Sequence, residues 1–175
     1  MTDDPIPGTL RVPAAFGRAL RGAVLAGAEG EHRLREAGHA DGQELYDRFA
    51  AWLAARGDPS PADSSLGDFA DALAAFVTDQ GWGVLRLPST EHAGEAPGAV
   101  ALEADGWFEA RMAGSSTYPA CHYTTGLLAG FFGHLAEAPL AVLETACAAA
   151  GAPACRFLVG APGALARVYE ARFRP

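Results

Sequence analysis

The sequence has little of what several classes of protein require. It contains only three cysteines, an odd number that is too small for the disulfide framework of a secreted domain. Basic residues are also scarce, since 13 of them stand against 21 acidic residues and give a formal net charge of −8. A nucleic-acid-binding module needs a basic patch to displace counterions, and this sequence has no basic run. We therefore expect neither a disulfide scaffold nor a nucleic-acid partner.

Long apolar runs are missing as well. The first four residues are acidic where a signal peptide would be basic, and no apolar core follows them. The longest stretch without charged residues, 112–136, contains Pro119 and two histidines and is too polar for a membrane span. These features predict a cytoplasmic protein with no membrane span.

The length and composition are those of one globular unit. A chain of 175 residues fits a single domain, and 50% hydrophobic residues with 19% charged residues exclude intrinsic disorder. We predict a tail over residues 1–12 and a single domain over residues 13–175.

The first part of the chain shows helical spacing of apolar residues. Helices are predicted to start near Pro13, Glu31 and Leu66, because the apolar residues that follow recur at intervals of three and four. Gly38 and Gly42 interrupt the second pattern, and each costs about 1 kcal/mol relative to alanine. Either this helix breaks there or another backbone packs closely against it.

The second part of the chain predicts short strands with two further helices. Strands are expected at Val84–Leu87, 99–104, 107–112, 141–145 and 156–159, with a loop over residues 91–98. A tight turn at Asp105-Gly106 would join the second and third strands. The helices are Pro119–Leu135 and one that begins at Pro162. This order predicts an α+β fold, with an antiparallel sheet of about four to five short strands packed against several helices.

All three cysteines fall between residues 121 and 155, together with a nearby glutamate. Zinc accepts thiolate and carboxylate ligands in a tetrahedron, and clustered cysteines in a reducing compartment more often indicate metal or redox chemistry than disulfides. The spacing makes Cys121, Glu144, Cys147 and Cys155 a candidate metal site. The alternative is that the cysteines are buried and pack as small hydrophobic residues.

Aromatic residues bracket the predicted strands and the buried helix. They are Trp82, Trp107, Phe108, Tyr118, Tyr123, Phe131 and Phe132. Small-molecule pockets are mostly apolar with a few polar groups, so these side chains either line a pocket or form the core.

Signals for catalysis are weak. The sequence has no nucleophile elbow, no H-E-x-x-H and no P-loop. Cys121 and His122 are neighbours on a predicted helix and therefore point in different directions. Gly126, Gly130 and Gly133 do not form a phosphate loop. They are expected to allow close approach of a strand or of a partner's helix, and the latter is consistent with a dimer.

Pro119-Ala120-Cys121, Gly126, Glu144-Thr145-Ala146-Cys147, Gly151 and Cys155-Arg156-Phe157 together resemble the 4-vinyl reductase-type domain, also called the hydrocarbon-binding domain. The resemblance extends more weakly upstream, to Gly38 and Gly42 and to Gly81-Trp82-Gly83. This family includes the N-terminal aromatic-sensing domains of phenol- and xylene-responsive regulators. It is similar in fold to a subunit of the TRAPP tethering complex.

The resemblance implies specific roles for both groups of residues. It implies a structural zinc ion bound by Cys121, Glu144, Cys147 and Cys155. Because four anionic ligands outweigh the charge of the zinc ion, Arg156 and backbone N–H groups are expected to compensate the net negative charge of the site. It also implies a ligand chamber between the sheet and the Pro119–Leu135 helix. The expected ligand-binding residues are Phe108, at the position of the regulators' ring-clamping tryptophan, Tyr123 and Phe131, with Trp82, Trp107 and Tyr118 as further candidates.

The implied function is a small-molecule binding or sensing domain that forms a homodimer, acts through a partner and has no catalysis of its own. Two alternatives stay open. One is an accessory protein or reductase in tetrapyrrole metabolism, although vinyl reduction needs a hydride source and no redox-cofactor motif is present. The other is a TRAPP-like dimeric scaffold in which the apolar chamber is simply a core.

Overall fold

A computed structural model describes residues 13–87 and 98–173 of the chain. The predicted tail and nearly all of the predicted loop at residues 91–98 lie outside these ranges. The described residues form six α-helices, four strands and a short 3-10 helix at Ala148–Ala150. The helices are α1 (Ala14–Leu25), α2 (Gly30–Arg56), α3 (Leu66–Asp79), α4 (Phe108–Ala113), α5 (His122–Leu135) and α6 (Pro162–Phe173). The strands are β1 (Val84–Arg86), β2 (Val100–Asp105), β3 (Ala141–Ala146) and β4 (Cys155–Gly160).

The four strands form one antiparallel sheet in the order β1-β2-β4-β3. Because side chains alternate along a strand, each strand contributes to both faces of the sheet. One face, which includes Leu102 and Phe157, belongs to the main core together with α2, α3 and α5. The other face, which includes Leu143 and Leu158, is covered by α6 through Leu165. The α+β prediction with four to five strands is confirmed.

The predicted strand at residues 107–112 is wrong. Gly106 has a positive φ of 57°, and the chain turns there into the helix α4 instead of a hairpin partner. The apolar residues of this short segment fit either period, so the pattern alone does not decide between them. The buried carboxylate of Glu109 stabilises the helix in its place, because it accepts hydrogen bonds from the first turn of α5.

Four glycines form a seam along which α2 packs against α5. They are Gly38, Gly42, Gly126 and Gly130, and we call them the glycine seam. A Cβ at Gly38 would collide with the carbonyl oxygen of Tyr123, and one at Gly126 with that of Arg35. The α2 helix is therefore unbroken at Gly38 and Gly42, and another backbone packs closely there. The expectation that Gly126 and Gly130 face a strand or a partner's helix is corrected, because the helix they face is α2 of the same chain.

Candidate metal centre and aromatic cluster

The structure brings the four predicted metal ligands together from three separate parts of the chain. Cys121 immediately precedes α5, Glu144 lies on β3, Cys147 follows β3, and Cys155 begins β4. One ligand atom from each of the four lies within 4.8 Å of the others, and all four side chains are buried. We call these residues the Cys3Glu group.

The distances in the Cys3Glu group suit a tetrahedral metal ion. The Cys121 Sγ atom lies 3.9 Å from Cys147 Sγ and 3.8 Å from Cys155 Sγ. Zinc–sulfur bonds of about 2.3 Å at tetrahedral angles place two sulfur atoms about 3.8 Å apart. Glu144 Oε2 accepts a hydrogen bond of 2.8 Å from the backbone N–H of Cys121. Glu144 Oε1 is buried and has no hydrogen-bond partner among the described residues, so it is available as the fourth ligand.

Burial and mutual hydrogen bonds control the ionisation of these groups. Burial raises the pKa of the Glu144 carboxyl to about 8. Hydrogen bonds with Cys147 and Cys155 raise the pKa of the Cys121 thiol, whereas hydrogen bonds from Cys121 and Cys155 lower that of Cys147. The three thiols thus share protons in a buried space. A divalent cation that binds here must displace those protons, because metal ligands bind in their deprotonated form.

Backbone N–H groups and Arg156 are expected to compensate the charge of the Cys3Glu group, and the structure shows such a contact for a backbone N–H group. The backbone N–H of Ala148 donates to Cys155 Sγ over 3.4 Å, which is the expected kind of compensation for thiolate charge. Arg156 follows Cys155 on β4 and points to the opposite side of the strand. Its guanidinium lies 3.6 Å from the Glu103 carboxylate on β2.

Four of the six predicted ligand-binding residues form one aromatic cluster, consisting of Trp82, Trp107, Phe108 and Tyr123. The Phe108 ring lies 5.3 Å from Trp82, 5.4 Å from Trp107 and 6.1 Å from Tyr123, measured between ring centroids. The Trp107 indole N–H donates to the Thr124 hydroxyl over 2.7 Å, which satisfies the buried indole. These side chains come from the turn after α3, the start of α4 and the first turn of α5.

The aromatic cluster and the Cys3Glu group are neighbours. Trp107 lies 6.5 Å from Phe157 between ring centroids, and Phe157 shares its face of β4 with Cys155. Tyr123 is two residues after Cys121. The first turn of α5 therefore belongs to both groups.

The other two predicted residues lie elsewhere. Phe131 is two turns further along α5, where its ring contacts Tyr46, Phe49 and Phe132 at centroid distances of 5.7, 5.8 and 5.2 Å. Tyr118 is 56% exposed. Two open surface cavities of about 560 and 490 Å³ lie along the N-terminal half of α2, and only Tyr118 of the six residues lines either one. At the aromatic cluster the rings contact one another, so a bound molecule would displace some of these contacts.

Glu109 is a site residue whose role sequence reasoning missed. Its buried carboxylate accepts hydrogen bonds from the backbone N–H groups of Tyr123 at 3.0 Å and Thr124 at 2.7 Å. Burial raises the pKa of Glu109, and those hydrogen bonds oppose the rise. The Arg21 guanidinium lies 3.7 Å from this carboxylate and donates to the Ala120 carbonyl oxygen. The sequence shows an acid in a largely apolar segment, but it does not show the partners of that acid because they are backbone groups.

His122 does not pair with Cys121 as a nucleophile and base would. Its Nδ1 atom lies 3.3 Å from the Arg35 guanidinium, and its Nε2 atom lies 3.7 Å from the Glu31 carboxylate. Burial lowers the pKa of His122. The contacts of this ring are therefore with α2.

Across residues 13–87 and 98–173, no helix combines the length and the apolarity needed to cross a membrane.

The Cys3Glu group and most of the aromatic cluster lie in a segment that matches a known domain family. Residues 100–161 match the vinyl-4-reductase (V-4-R) domain family, and this range contains the whole Cys3Glu group as well as Trp107, Phe108 and Tyr123. No curated protein sequence matches the chain.

Solved structures share the fold at low sequence identity. The phenol-responsive sensory domain of the transcription activator PoxR, crystallised with phenol, is 16% identical with a TM-score of 0.70, over 95% of this chain and 84% of that chain. A vinyl-4-reductase family protein from Methanocaldococcus jannaschii is 15% identical with a TM-score of 0.56, over 87% of this chain and 83% of that chain. A trafficking protein particle complex subunit 3 from Naegleria fowleri, covalently bound to palmitic acid, is 14% identical with a TM-score of 0.57, over 84% and 93% of the two chains. Residues 100–161 therefore match the domain family that the sequence resembles, and the chain shares its fold with these three proteins.

Proposed function

We propose that this protein binds a small apolar or aromatic molecule at the aromatic cluster and holds a structural zinc ion in the Cys3Glu group. The observation that carries the proposal is that both groups meet at the first turn of α5, inside the segment that matches the vinyl-4-reductase family. The PoxR sensory domain, which has the same fold, was crystallised with phenol. That combination supports a sensing or carrying role for this chain.

The Cys3Glu group suits a structural metal better than a catalytic one. Three thiolates and one carboxylate complete a tetrahedron, whereas catalytic zinc sites keep a position open for water or substrate. A zinc ion there would join the start of α5 to the end of β3 and the start of β4. It would thereby hold the backbone that carries Tyr123 in place.

The expected affinity follows from the apolar area that a ligand removes from water. A one-ring molecule of about 150 Å² gains roughly 4 kcal/mol at about 25 cal/mol per Å², before the cost of immobilising it is subtracted. Purely apolar contacts therefore support binding in the micromolar to millimolar range. Phe108 has no hydrogen-bond donor, so it contributes ring contact only.

Phe108→Trp is expected to fill the aromatic cluster and weaken binding while zinc content stays unchanged. The larger ring occupies the space that a ligand would take beside Trp82 and Tyr123. Titration calorimetry with phenol, toluene, decanol and a vinyl tetrapyrrole measures the change, and metal analysis of the same samples checks the zinc. Tyr169→Trp is the matched control, because Tyr169 lies on α6, outside the aromatic cluster, and is 50% exposed.

Identical titrations of the wild type and Phe108→Trp would show that Phe108 does not line the site. Strong preference for the tetrapyrrole would favour the accessory or reductase role. If no probe binds the zinc-loaded wild type, the scaffold alternative replaces the proposed function.

We also propose that the protein forms a homodimer. The glycine seam gives no support for this, because α2 of the same chain covers it. The support comes instead from exposed apolar side chains on α1, where Phe16 and Leu20 are 53% and 52% exposed. Light scattering is expected to give twice the chain mass of 18.1 kDa at micromolar concentration. A specific interface buries more than about 1,000 Å², and we expect such a dimer to persist at this concentration. A monomer mass would therefore refute the dimer.

A further inference from the structure

A buried guanidinium nitrogen on α2 has no hydrogen-bond acceptor among the described residues. Arg48 lies in the second half of α2, and its Nε atom is buried with no hydrogen-bond partner among the described residues. A buried donor without an acceptor costs about 1–3 kcal/mol, and more when the group is charged. Buried polar groups are nearly always paired in folded proteins. An unpaired arginine nitrogen next to a candidate ligand site therefore indicates an acceptor that arrives with the ligand.

Three observations place Arg48 at the aromatic cluster. Tyr123, a cluster member, donates its hydroxyl hydrogen bond to Asp41 on α2 over 2.6 Å. Arg48 is seven residues after Asp41 and so shares its face of the helix, and helical side chains lean back toward the N-terminus. Burial and the bond to Asp41 raise the pKa of Tyr123, and the positive charge of Arg48 opposes that rise, so the two groups are within electrostatic range.

The other charged groups around the cluster already have partners. The exposed Asp41 carboxylate accepts from Tyr123, and the buried Glu109 carboxylate accepts from the first turn of α5. The Arg111 guanidinium donates to the Gly81 carbonyl oxygen over 3.2 Å. Two further donors in the described part of the chain have no hydrogen-bond partner. They are Gln80 Nε2, two residues before Trp82, and Arg21 Nε, which lies 3.7 Å from the Glu109 carboxylate. The surroundings of the cluster thus offer donors in excess of acceptors, which suits a ligand that brings acceptors.

We propose that the aromatic cluster takes small aromatic or acyl carboxylates, and that the Arg48 guanidinium binds the carboxylate while Phe108 and Tyr123 contact the apolar part. A planar guanidinium matches a carboxylate with two parallel hydrogen bonds, and such charge-assisted bonds are the strong ones. This inference rests on the proposed ligand-binding function and adds the chemical class of the ligand and the residue that selects it.

The test compares acids with alcohols of the same skeleton. Benzoate is paired with benzyl alcohol and decanoate with decanol, and each is titrated calorimetrically into the zinc-loaded protein. We expect the wild type to bind each acid roughly tenfold more tightly or better than its alcohol, as a charged hydrogen bond provides. Arg48→Met is expected to remove that preference and leave the alcohols unchanged. Arg33→Met, which removes an exposed arginine from the same helix, is expected to change neither.

The outcomes separate this inference from the proposed function. Equal binding of acids and alcohols by the wild type, or unchanged acid binding in a folded Arg48→Met, overturns the carboxylate class and leaves ligand binding standing. Failure of all four probes with the wild type overturns the ligand-binding function itself. If Arg48→Met does not fold, Arg48→Lys is used instead, because lysine keeps the positive charge but lacks the planar guanidinium fork. We expect Arg48→Lys to lose the preference for acids. Retained preference in Arg48→Lys would overturn the role of the fork.

Discussion

Cys147→Ser is expected to lose zinc and to unfold at a much lower temperature than the wild type. Structural zinc sites contribute roughly 10 kcal/mol of binding free energy, and that energy is folding energy because the unfolded chain has no site. Losing about a third of it lowers the melting temperature by about 10 °C in a chain of this length. Cys147 follows β3 and shares the site with residues from the start of α5 and from β4, so its loss separates three elements. Metal analysis and thermal unfolding monitored by circular dichroism measure both effects.

The wild type purified without chelators is expected to hold about one equivalent of zinc, and a strong chelator should reproduce the instability of the variant. Ala150→Ser is the matched control, because Ala150 is exposed beside the site and the change adds a hydroxyl without removing a ligand. If Cys147→Ser keeps both its metal and its melting temperature, the Cys3Glu group is not a zinc site. The three thiols would then be packed as small hydrophobic residues.

Gly38→Ala is expected to destabilise the protein strongly, although alanine is the better helix former. In an open helix this change gains about 1 kcal/mol. Here the new Cβ would lie against the Tyr123 carbonyl oxygen and 2.8 Å from the Leu127 backbone nitrogen, and both atoms belong to the backbone of α5. A backbone cannot move aside as a side chain can, so α2 and α5 must separate. We expect a loss of about 3 kcal/mol, at the upper end of typical overpacking costs.

Gly22→Ala is the matched control, since Gly22 lies inside α1 and a Cβ there meets nothing within 4 Å. That variant is expected to be as stable as the wild type or more so by up to about 1 kcal/mol. Urea unfolding of the three proteins gives the comparison. Equal stability of Gly38→Ala and the wild type would mean that the two helices are not in backbone contact at the glycine seam.

The sequence alone predicts the parts of the molecule that depend on local pattern. Apolar spacing predicts α2 and α3, and Ser65 caps α3 by accepting a hydrogen bond from the Asp68 backbone N–H. Residue chemistry and spacing also single out the Cys3Glu group as a candidate metal site, because zinc accepts thiolate and carboxylate ligands. The resemblance to the 4-vinyl reductase-type domain then connects that group to aromatic side chains such as Phe108 and Tyr123.

Tertiary structure decides what depends on contacts between distant segments. The segment after Gly106 is a helix and not a strand because the Glu109 carboxylate finds backbone N–H groups on α5. Phe108 and Phe131 are both phenylalanines in apolar segments, and the sequence does not distinguish their roles. In the structure the Phe108 ring packs against Tyr123, whereas the Phe131 ring packs against Phe49.

The partners of buried polar and glycine residues are likewise invisible in the sequence. Gly38 and Gly126 show that some backbone approaches closely, but only the packing of α2 on α5 shows which one. Arg48 looks like one more surface charge in the sequence, and only the burial of its Nε atom without an acceptor marks it as a candidate for ligand recognition. Periodicity and residue chemistry therefore predicted most of the elements and the candidate metal ligands of this protein. Three-dimensional packing determined which groups were paired, because pairing energies come from atoms that are far apart along the chain.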